Sequence, residues 1–211
     1  MTPHIDYYFA TMSPYAYLGH ARFATIADAA AARVRVLPVD MGKVFPVSGG
    51  LPLAKRAPQR QAYRLLELRR FSQWLGLPLN LQPKHFPVSG DAAARLIITV
   101  DAADGTAAAM GLAGAIFAAV WARELDIADA PVLATLLAEQ GLAPARLDES
   151  GSPAVQQRYE AGTQQAIDAG VFGAPSYVVE GELFWGQDRL DFVQRRLAGI
   201  AQSTAPAPRQ P

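Results

Sequence analysis

Aromatic and β-branched residues are concentrated in four short stretches, two near each end of the chain. Residues 5–10 and 32–40 form the first pair, and residues 176–179 and 183–185 form the second. These residue types pack well on a pleated sheet, so we predict a strand in each stretch. Residues 180–182, Glu-Gly-Glu, predict a turn that joins the last two strands as an antiparallel hairpin.

A helix is predicted between the first two strands, because Leu18, Phe23 and Ile26 recur at helical spacing. Ser13 can cap this helix, and Pro14 fits its first turn, where a missing N–H has no cost. A strand, a helix and a strand within about forty residues form a βαβ unit, whose two strands are expected to be parallel.

The middle of the chain, residues 41–169, shows helical patterns and no convincing strand. The spacing of apolar residues predicts helices over 59–75, 91–103, 106–124, 131–139 and 153–169, with one further turn over 142–147. Proline and glycine are frequent in residues 41–58 and 79–90, which therefore predict two long loops. A last helix is predicted after Asp188.

This order of elements is β-α-β, a helical block, and then β-β-α, which is the order of a thioredoxin-like domain. The predicted fold class is therefore α/β, with an all-helical subdomain inserted after the second strand. We place the two parts of the thioredoxin-like domain at residues 1–42 and 170–201, and the helical insert at residues 43–169. Residues 202–211, rich in proline and polar residues, are predicted to be a disordered tail.

Composition narrows the possible functions. The 211 residues carry no net formal charge and no dominant basic stripe, which argues against nucleic acid as a partner. The chain has no cysteine, so its own residues form no disulfide and perform no thiol chemistry. The three histidines are not at ligand spacing, and we expect no metal site. With no signal-peptide pattern and no membrane-length apolar run, we expect a soluble, cytoplasmic protein.

The junction between the first strand and the first helix is the main candidate for a functional site. A strand that leads into a helix N-terminus leaves unpaired backbone N–H groups at the positive end of the helix dipole. Such a position stabilises an anion. From these residues alone, Ser13 either only caps the helix or also holds a reactive anion there.

Four segments, in order along the chain, carry a family resemblance. They are Asp6-Tyr7-Tyr8-Phe9, Ser13-Pro14-Tyr15-Ala16-Tyr17-Leu18, Gly173-Ala174-Pro175-Ser176 and Phe184-Trp185-Gly186-Gln187-Asp188-Arg189-Leu190. With the helical insert between them, they resemble the 2-hydroxychromene-2-carboxylate isomerase family. This family is a DsbA-like branch of the thioredoxin folds and is related to kappa-class glutathione transferases. The resemblance covers nearly the whole chain except the C-terminal tail.

The resemblance implies glutathione as the cofactor, with its thiol in the role of the missing protein cysteine. Ser13 is then the catalytic residue: its hydroxyl donates to the glutathione sulfur and, together with the helix dipole, favours the thiolate. Ala174 and Pro175 resemble the cis-proline turn of this fold, where the Ala174 backbone pairs with glutathione as an added strand would. An ordinary trans proline that opens an edge strand is the alternative.

The segment formed by Trp185, Gly186, Gln187 and Asp188 matches the part of the family that holds the γ-glutamyl end of glutathione. The resemblance implies that Asp188 pairs with the ammonium group of glutathione. Backbone N–H groups at the start of the last helix would take its carboxylate. The alternative is that Asp188 caps that helix, with Asp191 imitating a capping box.

The resemblance places a small aromatic or enone substrate near four further residues. Lys43 is expected in the loop after the second strand, where it binds the substrate carboxylate or stabilises a phenolate, or is simply a solvated lysine. Lys55 lies in a stretch where the family has a polar substrate residue. His85 and Phe86 stand where the family has an Asn-Tyr pair, and His85 is either a proton donor or an exposed loop histidine.

The activity implied by the resemblance is an isomerisation of 2-hydroxychromene-2-carboxylate, or of a related aromatic or enone compound. It proceeds by reversible addition of the glutathione thiolate, bond rotation and elimination. Two alternatives stay open: a kappa-like glutathione transferase that joins glutathione permanently to an electrophile, and a non-catalytic DsbA-like binding module. The absence of cysteine excludes a disulfide oxidoreductase. Relatives of both types form dimers, so a homodimer is an open expectation.

Overall fold

The computed structural model describes residues 2–203, and its four strands form one mixed sheet. The strands are β1 His4–Phe9, β2 Arg33–Pro38, β3 Ser176–Val179 and β4 Glu182–Trp185, in the spatial order β2-β1-β3-β4. β1 is parallel to β2 and antiparallel to β3, and β3 forms a hairpin with β4. The four predicted strands, the parallel βαβ unit and the hairpin are therefore confirmed.

Nine α-helices accompany the sheet within the described range. They are α1 Pro14–Ala29, α2 Met41–Ser48, α3 Pro58–Leu75, α4 Asp91–Asp104, α5 Thr106–Trp121, α6 Ala130–Glu139, α7 Ala145–Glu149, α8 Pro153–Asp168 and α9 Leu190–Ser203. Residues 41–169 contain no strand, so the predicted α/β thioredoxin-like fold with a helical insertion is confirmed. Of the helices in residues 2–203, none is long and apolar enough to cross a membrane.

The prediction of a loop over residues 41–58 is wrong in two places. Met41–Ser48 forms α2, and Leu53–Lys55 forms a short 3-10 helix. Lys43, which we expected in a loop, therefore lies on a helix.

Capping and burial explain why α2 forms despite its proline. The Asp40 side chain caps the helix by accepting a hydrogen bond from the Gly42 N–H at 2.7 Å. Val44 is fully buried in a cluster that includes residues of β1 and β3. Tertiary packing of this face stabilises the helix enough to keep Pro46 in it. The density of proline and glycine in the sequence does not reveal that packing.

Four predicted boundaries differ from the structure. The helix predicted to residue 124 ends at Trp121, and the turn predicted over 142–147 lies at Ala145–Glu149. The last helix begins as a 3-10 turn, Gln187–Arg189, and continues as α9 to Ser203. Residues 202 and 203, predicted to start the tail, are thus helical, and the rest of the predicted tail lies outside the described residues.

An aromatic layer fixes the sheet against α1. Tyr7 and Tyr177 face each other across β1 and β3, and their nearly parallel rings lie 5.3 Å apart. Phe23 of α1 packs on both rings, at centroid distances of 4.6 and 4.7 Å. All three side chains are buried, and aromatic pairs of this kind add about 0.5–1.5 kcal/mol each beyond their burial.

The sheet register brings distant parts of the chain to one edge. β1 is antiparallel to β3 with Tyr8 opposite Ser176, so the end of β1 meets the start of β3. β2 runs parallel to β1 and therefore ends at the same edge. The segments that follow β1 and β2, and the segment that precedes β3, consequently lie next to one another.

A buried histidine links the helical insert to the sheet. His20 of α1 shares a hydrogen bond through Nε2 with the Met110 carbonyl oxygen of α5 at 2.9 Å. Its Nδ1 lies 3.3 Å from the Tyr7 hydroxyl of β1. Burial lowers the pKa of His20, because the charged imidazolium loses hydration in the core.

We predict that Gly19→Ala lowers the free energy of unfolding by about 1–3 kcal/mol, an overpacking cost measured by urea denaturation. A Cβ at Gly19 would lie 2.7 Å from Gln187 Cβ and 3.4 Å from Gln187 Cα. Gly199→Ala in α9 is the matched control, because a Cβ there meets no atom within 4 Å and should raise stability by up to about 1 kcal/mol. Equal unfolding midpoints for the two variants would contradict the close packing of α1 on the segment before α9.

We also predict that stability falls as the pH drops from 7.5 to 5.5. The folded-state pKa of His20 lies below that of the unfolded chain, so the unfolded state binds more protons once the pH falls through about 6.5. The stabilisation is fully present above that pH. Urea midpoints measured at both pH values should fall less in His20→Gln than in the original chain. If the urea midpoint falls equally in His20→Gln and in the original chain, His20 is not the cause of the pH dependence.

Candidate functional site

Ser13 links the end of β1 to the start of α1. Its backbone N–H donates to the Ala10 carbonyl oxygen at 2.9 Å, which closes the turn after β1. The backbone of Ser13 is extended, and its Oγ accepts a hydrogen bond from the Ala16 N–H at 3.2 Å. Pro14 follows at the first helical position. The predicted helix cap is therefore confirmed.

Ser13 also contacts the segment that precedes β3. The Ser13 hydroxyl donates to the Ala174 carbonyl oxygen at 3.4 Å, a long hydrogen bond between residues 161 positions apart. The peptide bond between Ala174 and Pro175 is cis, as the resemblance implies. Ser13 is 9% exposed, so its hydroxyl is largely shielded from solvent.

Two backbone donors beside Ser13 are available to a ligand. In the part of the chain that the structure describes, neither the Tyr15 N–H nor the Ala174 N–H has a hydrogen-bond acceptor. Both residues are partly exposed. Exposed N–H groups at a helix N-terminus favour negative charge, and an open N–H before a strand can pair with an extended backbone.

The segment between β4 and α9 adjoins this edge. The Gly186 N–H donates to the Pro175 carbonyl oxygen at 2.9 Å, which fixes the segment against the cis peptide. Trp185 is half exposed, and its ring meets Phe172 edge-on at 4.8 Å. A Cβ on Gly173 would lie 2.2 Å from Trp185 Nε1. Any side chain larger than that of glycine would therefore clash with the Trp185 ring in its present position.

Gln187 and Asp188 point in different directions. Gln187 as a whole is 1% exposed, and neither polar atom of its side chain has a partner among the described residues. Gln187 is therefore almost inaccessible from the surface. Asp188 is exposed and pairs with the neighbouring Arg189 at 2.8 Å.

The alternative that Asp188 caps the last helix is wrong. The 3-10 turn begins after Gly186 without a side-chain cap, and Asp188 lies inside that turn. The expected capping partner, Asp191, forms an ion pair with Arg22 of α1 instead. The Asp188 carboxylate thus remains at the surface, where a cationic ligand group can reach it.

Lys43 lies beside a polar cavity of about 190 Å³ between α2, α4 and α8. Its ammonium is 3.9 Å from the Glu160 carboxylate, and the side chain is more than half exposed. The cavity is also lined by Asp91, which accepts a hydrogen bond from the Tyr159 hydroxyl at 3.1 Å. Burial and the nearby Asp91 charge both raise the pKa of Tyr159.

The other predicted substrate residues are more scattered. Lys55 is exposed on the 3-10 helix after α2. His85 Nδ1 lies 3.8 Å from Asp126, and the histidine side chain is about one-third exposed. Phe86 turns inward and packs against Trp121 at 4.8 Å. The structure therefore does not bring Lys55, His85 and Phe86 into one cluster of side chains.

Two hydrogen bonds near Ser13 were not anticipated from the sequence. The Tyr15 hydroxyl donates to Glu67 of α3 at 3.1 Å, and the Thr11 hydroxyl donates to the Gly90 carbonyl oxygen at 3.0 Å. Burial and the Glu67 charge raise the pKa of Tyr15, so its phenol stays protonated. These contacts hold α3 and the segment before α4 against the two ends of the turn that contains Ser13.

Arg64 of α3 is a further residue that sequence reasoning missed. It is buried against Phe86 and Trp121, with its guanidinium carbon 5.4 and 5.7 Å from the two ring centroids. Arg64 lies four residues before Leu68, which is fully buried. The spacing of four residues therefore places Arg64 on the same inner face of α3 as Leu68. This spacing could have predicted the burial of Arg64, but a charged residue is normally expected at the surface.

Comparison with known proteins identifies the family and supports the fold. Residues 4–198 match the sequence profile of the DSBA-like thioredoxin domain. A 2-hydroxychromene-2-carboxylate isomerase of Sphingobium xenophagum is 30% identical over 199 residues, which cover 93% of this chain and 99% of that protein. A protein of the same name from Pseudomonas putida is 26% identical over 204 residues, 95% of this chain and 97% of its own.

A solved structure of a 2-hydroxychromene-2-carboxylate isomerase shares the fold. It superimposes with a TM-score of 0.79 at 24% identity, over 95% of this chain and 97% of that chain. The superposition thus includes the helical insert as well as the sheet.

We predict that Ser13→Ala lowers the free energy of unfolding by about 1 kcal/mol, because the Ala16 N–H loses its side-chain acceptor. Ser13→Gly also lacks the hydroxyl but should cost only a few tenths of a kcal/mol, since glycine is tolerated at this cap position. Chemical denaturation of both variants measures the difference. A loss well above about 2 kcal/mol in Ser13→Gly would mean that the bond to Ala174, and not the cap, dominates the role of Ser13 in stability.

Proposed function

The chain belongs to the DSBA-like thioredoxin domain family and, within it, to the 2-hydroxychromene-2-carboxylate isomerase family, and we propose that it is a glutathione-dependent isomerase. Its substrate would be 2-hydroxychromene-2-carboxylate or a related aromatic or enone compound. The observation that supports this proposal most strongly is the position of Ser13. Its hydroxyl lies at the N-terminus of α1 and opposite the cis peptide before Pro175, in a chain without cysteine.

The residues around Ser13 are suited to hold glutathione. The Ala174 N–H and the Ala174 carbonyl oxygen lie at the start of β3, where an extended peptide backbone can pair with them. The exposed carboxylate of Asp188 is suited to the ammonium group of the γ-glutamyl end. Trp185 offers an exposed aromatic surface beside them. Gly186 would contribute only its backbone, whereas Gln187, which is 1% exposed, would support this segment from within.

Glutathione would supply the thiol that adds reversibly to a conjugated carbon, so that the neighbouring bond can rotate before the thiol leaves. Ser13 would donate its hydroxyl hydrogen bond to the sulfur and stabilise negative charge there. The Tyr15 N–H and the positive end of α1 would act in the same direction. The Ser13 hydroxyl would exchange its long bond to the Ala174 carbonyl oxygen for the sulfur, and this exchange frees that oxygen to pair with glutathione. The Tyr15 N–H is already open, so it needs no such exchange.

On the substrate side, basic groups would stabilise the oxyanion of the substrate. Lys43 remains a candidate, although its ammonium is shared with Glu160. His85 could donate a proton to the substrate, and Phe86 could shape the pocket from within. Lys55 is exposed and would act only when a substrate approaches its surface. A kappa-like transferase would use the same sulfur site. Only identification of the products, an isomer or a glutathione conjugate, distinguishes the two reactions.

We predict that binding of glutathione to the original chain releases a proton at pH values below the pKa of the free thiol. Calorimetric titrations in two buffers of different ionisation enthalpy measure that proton. Ser13→Ala and Ser13→Gly should bind with less proton release, because the sulfur loses its hydrogen-bond donor. A chain that does not bind glutathione would instead be the non-catalytic binding module.

We further predict that both Ser13 variants lose turnover by about 100-fold or more, the size expected when a preorganised donor is removed from a reacting centre. Ser13→Gly is the informative variant, because its predicted loss of stability is small. Chromatography of the products of chromene and enone substrates with glutathione should show isomers and no stable conjugate. Accumulation of a conjugate would establish the transferase in place of the isomerase.

A further inference from the structure

Arg64 is a buried cation with no acidic partner. It is 9% exposed, and its guanidinium forms neither a hydrogen bond nor an ion pair with any residue in the described range. A guanidinium is always charged at physiological pH, and its burial is unfavourable unless another group replaces the lost hydration. The surroundings of Arg64 therefore call for an explanation.

Two aromatic rings explain part of this burial but not all of it. Phe86 and Trp121 lie on the guanidinium at 5.4 and 5.7 Å from its central carbon. The rings attract the cation, but they supply no oxygen acceptor for its five N–H groups. The guanidinium nitrogens are not among the fully enclosed polar atoms that lack a partner, so their edge is open to solvent.

The nearby acidic group is already occupied. Glu67, one helical turn after Arg64, accepts the hydrogen bond from the Tyr15 hydroxyl. The guanidinium groups of Arg64 and Arg56 both act on that hydroxyl, and both oppose the rise that Glu67 causes in the pKa of Tyr15. Neither guanidinium forms an ion pair with a carboxylate of the described residues, so a carboxylate on a ligand would find Arg64 unpaired.

This charge lies beside the start of α1. Glu67 holds α3 to Tyr15, two residues after Ser13, and Gly90 holds the segment that carries Phe86 to Thr11, two residues before Ser13. The helix that carries Arg64 and the segment that carries its partner Phe86 are therefore both hydrogen-bonded to residues that flank Ser13, the reacting centre in the proposed function.

We propose that Arg64 is the residue that binds the carboxylate of the proposed substrate, and that Arg64 is therefore what distinguishes carboxylate compounds from their uncharged analogues. The planar guanidinium can bind a carboxylate through two parallel hydrogen bonds, and the aromatic rings hold it in a fixed plane. Lys43, the sequence-based candidate for this role, already faces Glu160, whereas Arg64 faces no carboxylate. The identity of the reaction rests on the proposed function, but the anion site rests on Arg64 and its surroundings.

Binding of trans-2-hydroxycinnamate and of its uncharged methyl ester, measured by calorimetry, tests the proposal without requiring turnover. The original chain should bind the carboxylate at least about ten-fold more tightly than the ester. Arg64→Met fills a similar volume between the two rings, and it should abolish this preference. Arg64→Lys should keep only part of it, because an ammonium cannot form the paired hydrogen bonds. Arg70→Met is the matched control on the exposed face of α3, and it should bind as the original chain does.

Three binding results would overturn the proposal. They are no binding of the cinnamate to the original chain, an unchanged preference in Arg64→Met, or weaker binding of glutathione alone in Arg64→Met. The last result would assign Arg64 to a carboxylate of glutathione. Turnover of 2-hydroxychromene-2-carboxylate separates this inference from the proposed function. If the protein shows the Arg64-dependent preference but no turnover, the anion site stands and the isomerase proposal fails. If the protein turns over the substrate and Arg64→Met has an unchanged KM, the isomerase proposal stands and the anion site fails.

Discussion

The antiparallel pairing of β1 with β3 is the interaction on which the candidate site depends. It places Ser13 against Ala174, although 161 positions separate them along the chain. The stacked rings of Tyr7 and Tyr177 lie on the same two strands and fix their register. A shift of one residue would turn these rings out of the core, so the register that buries them also positions the serine hydroxyl.

Three kinds of hydrogen-bond donor on and beside α1 have no acceptor among the described residues. The N–H groups of Tyr15 and Ala174 are open, and the Arg64 guanidinium lacks a carboxylate. Such donors are reached by water in the free protein and form charge-assisted hydrogen bonds when an anion enters. Both a thiolate and a substrate carboxylate are anions, so the proposed cofactor and the proposed substrate would use the same electrostatic property.

Side chains and backbone of the helical insert position α1 through hydrogen bonds. Glu67 on α3 holds Tyr15, and the Met110 carbonyl oxygen on α5 holds His20, so the insert is bonded to α1 at its first and second turns. Trp121, at the end of α5, supports Phe86 and Arg64. In the proposed function, the thioredoxin-like sheet would form the sulfur side of the site and the insert would form its substrate side.

The sequence by itself determined the features that depend on neighbouring residues. Strand patterns, the Ser13 cap and the order of elements follow from local propensity, and the family motifs at the two ends identify the fold. Tertiary structure decided the rest, because burial and charge pairing depend on residues far apart in the chain. The α2 helix forms around Pro46 because Val44 is buried, and Gln187 turns its side chain inward beneath α1. Arg64 reads as a surface charge in the sequence, and only the packing of α3 against Trp121 shows that it is a buried cation without a partner.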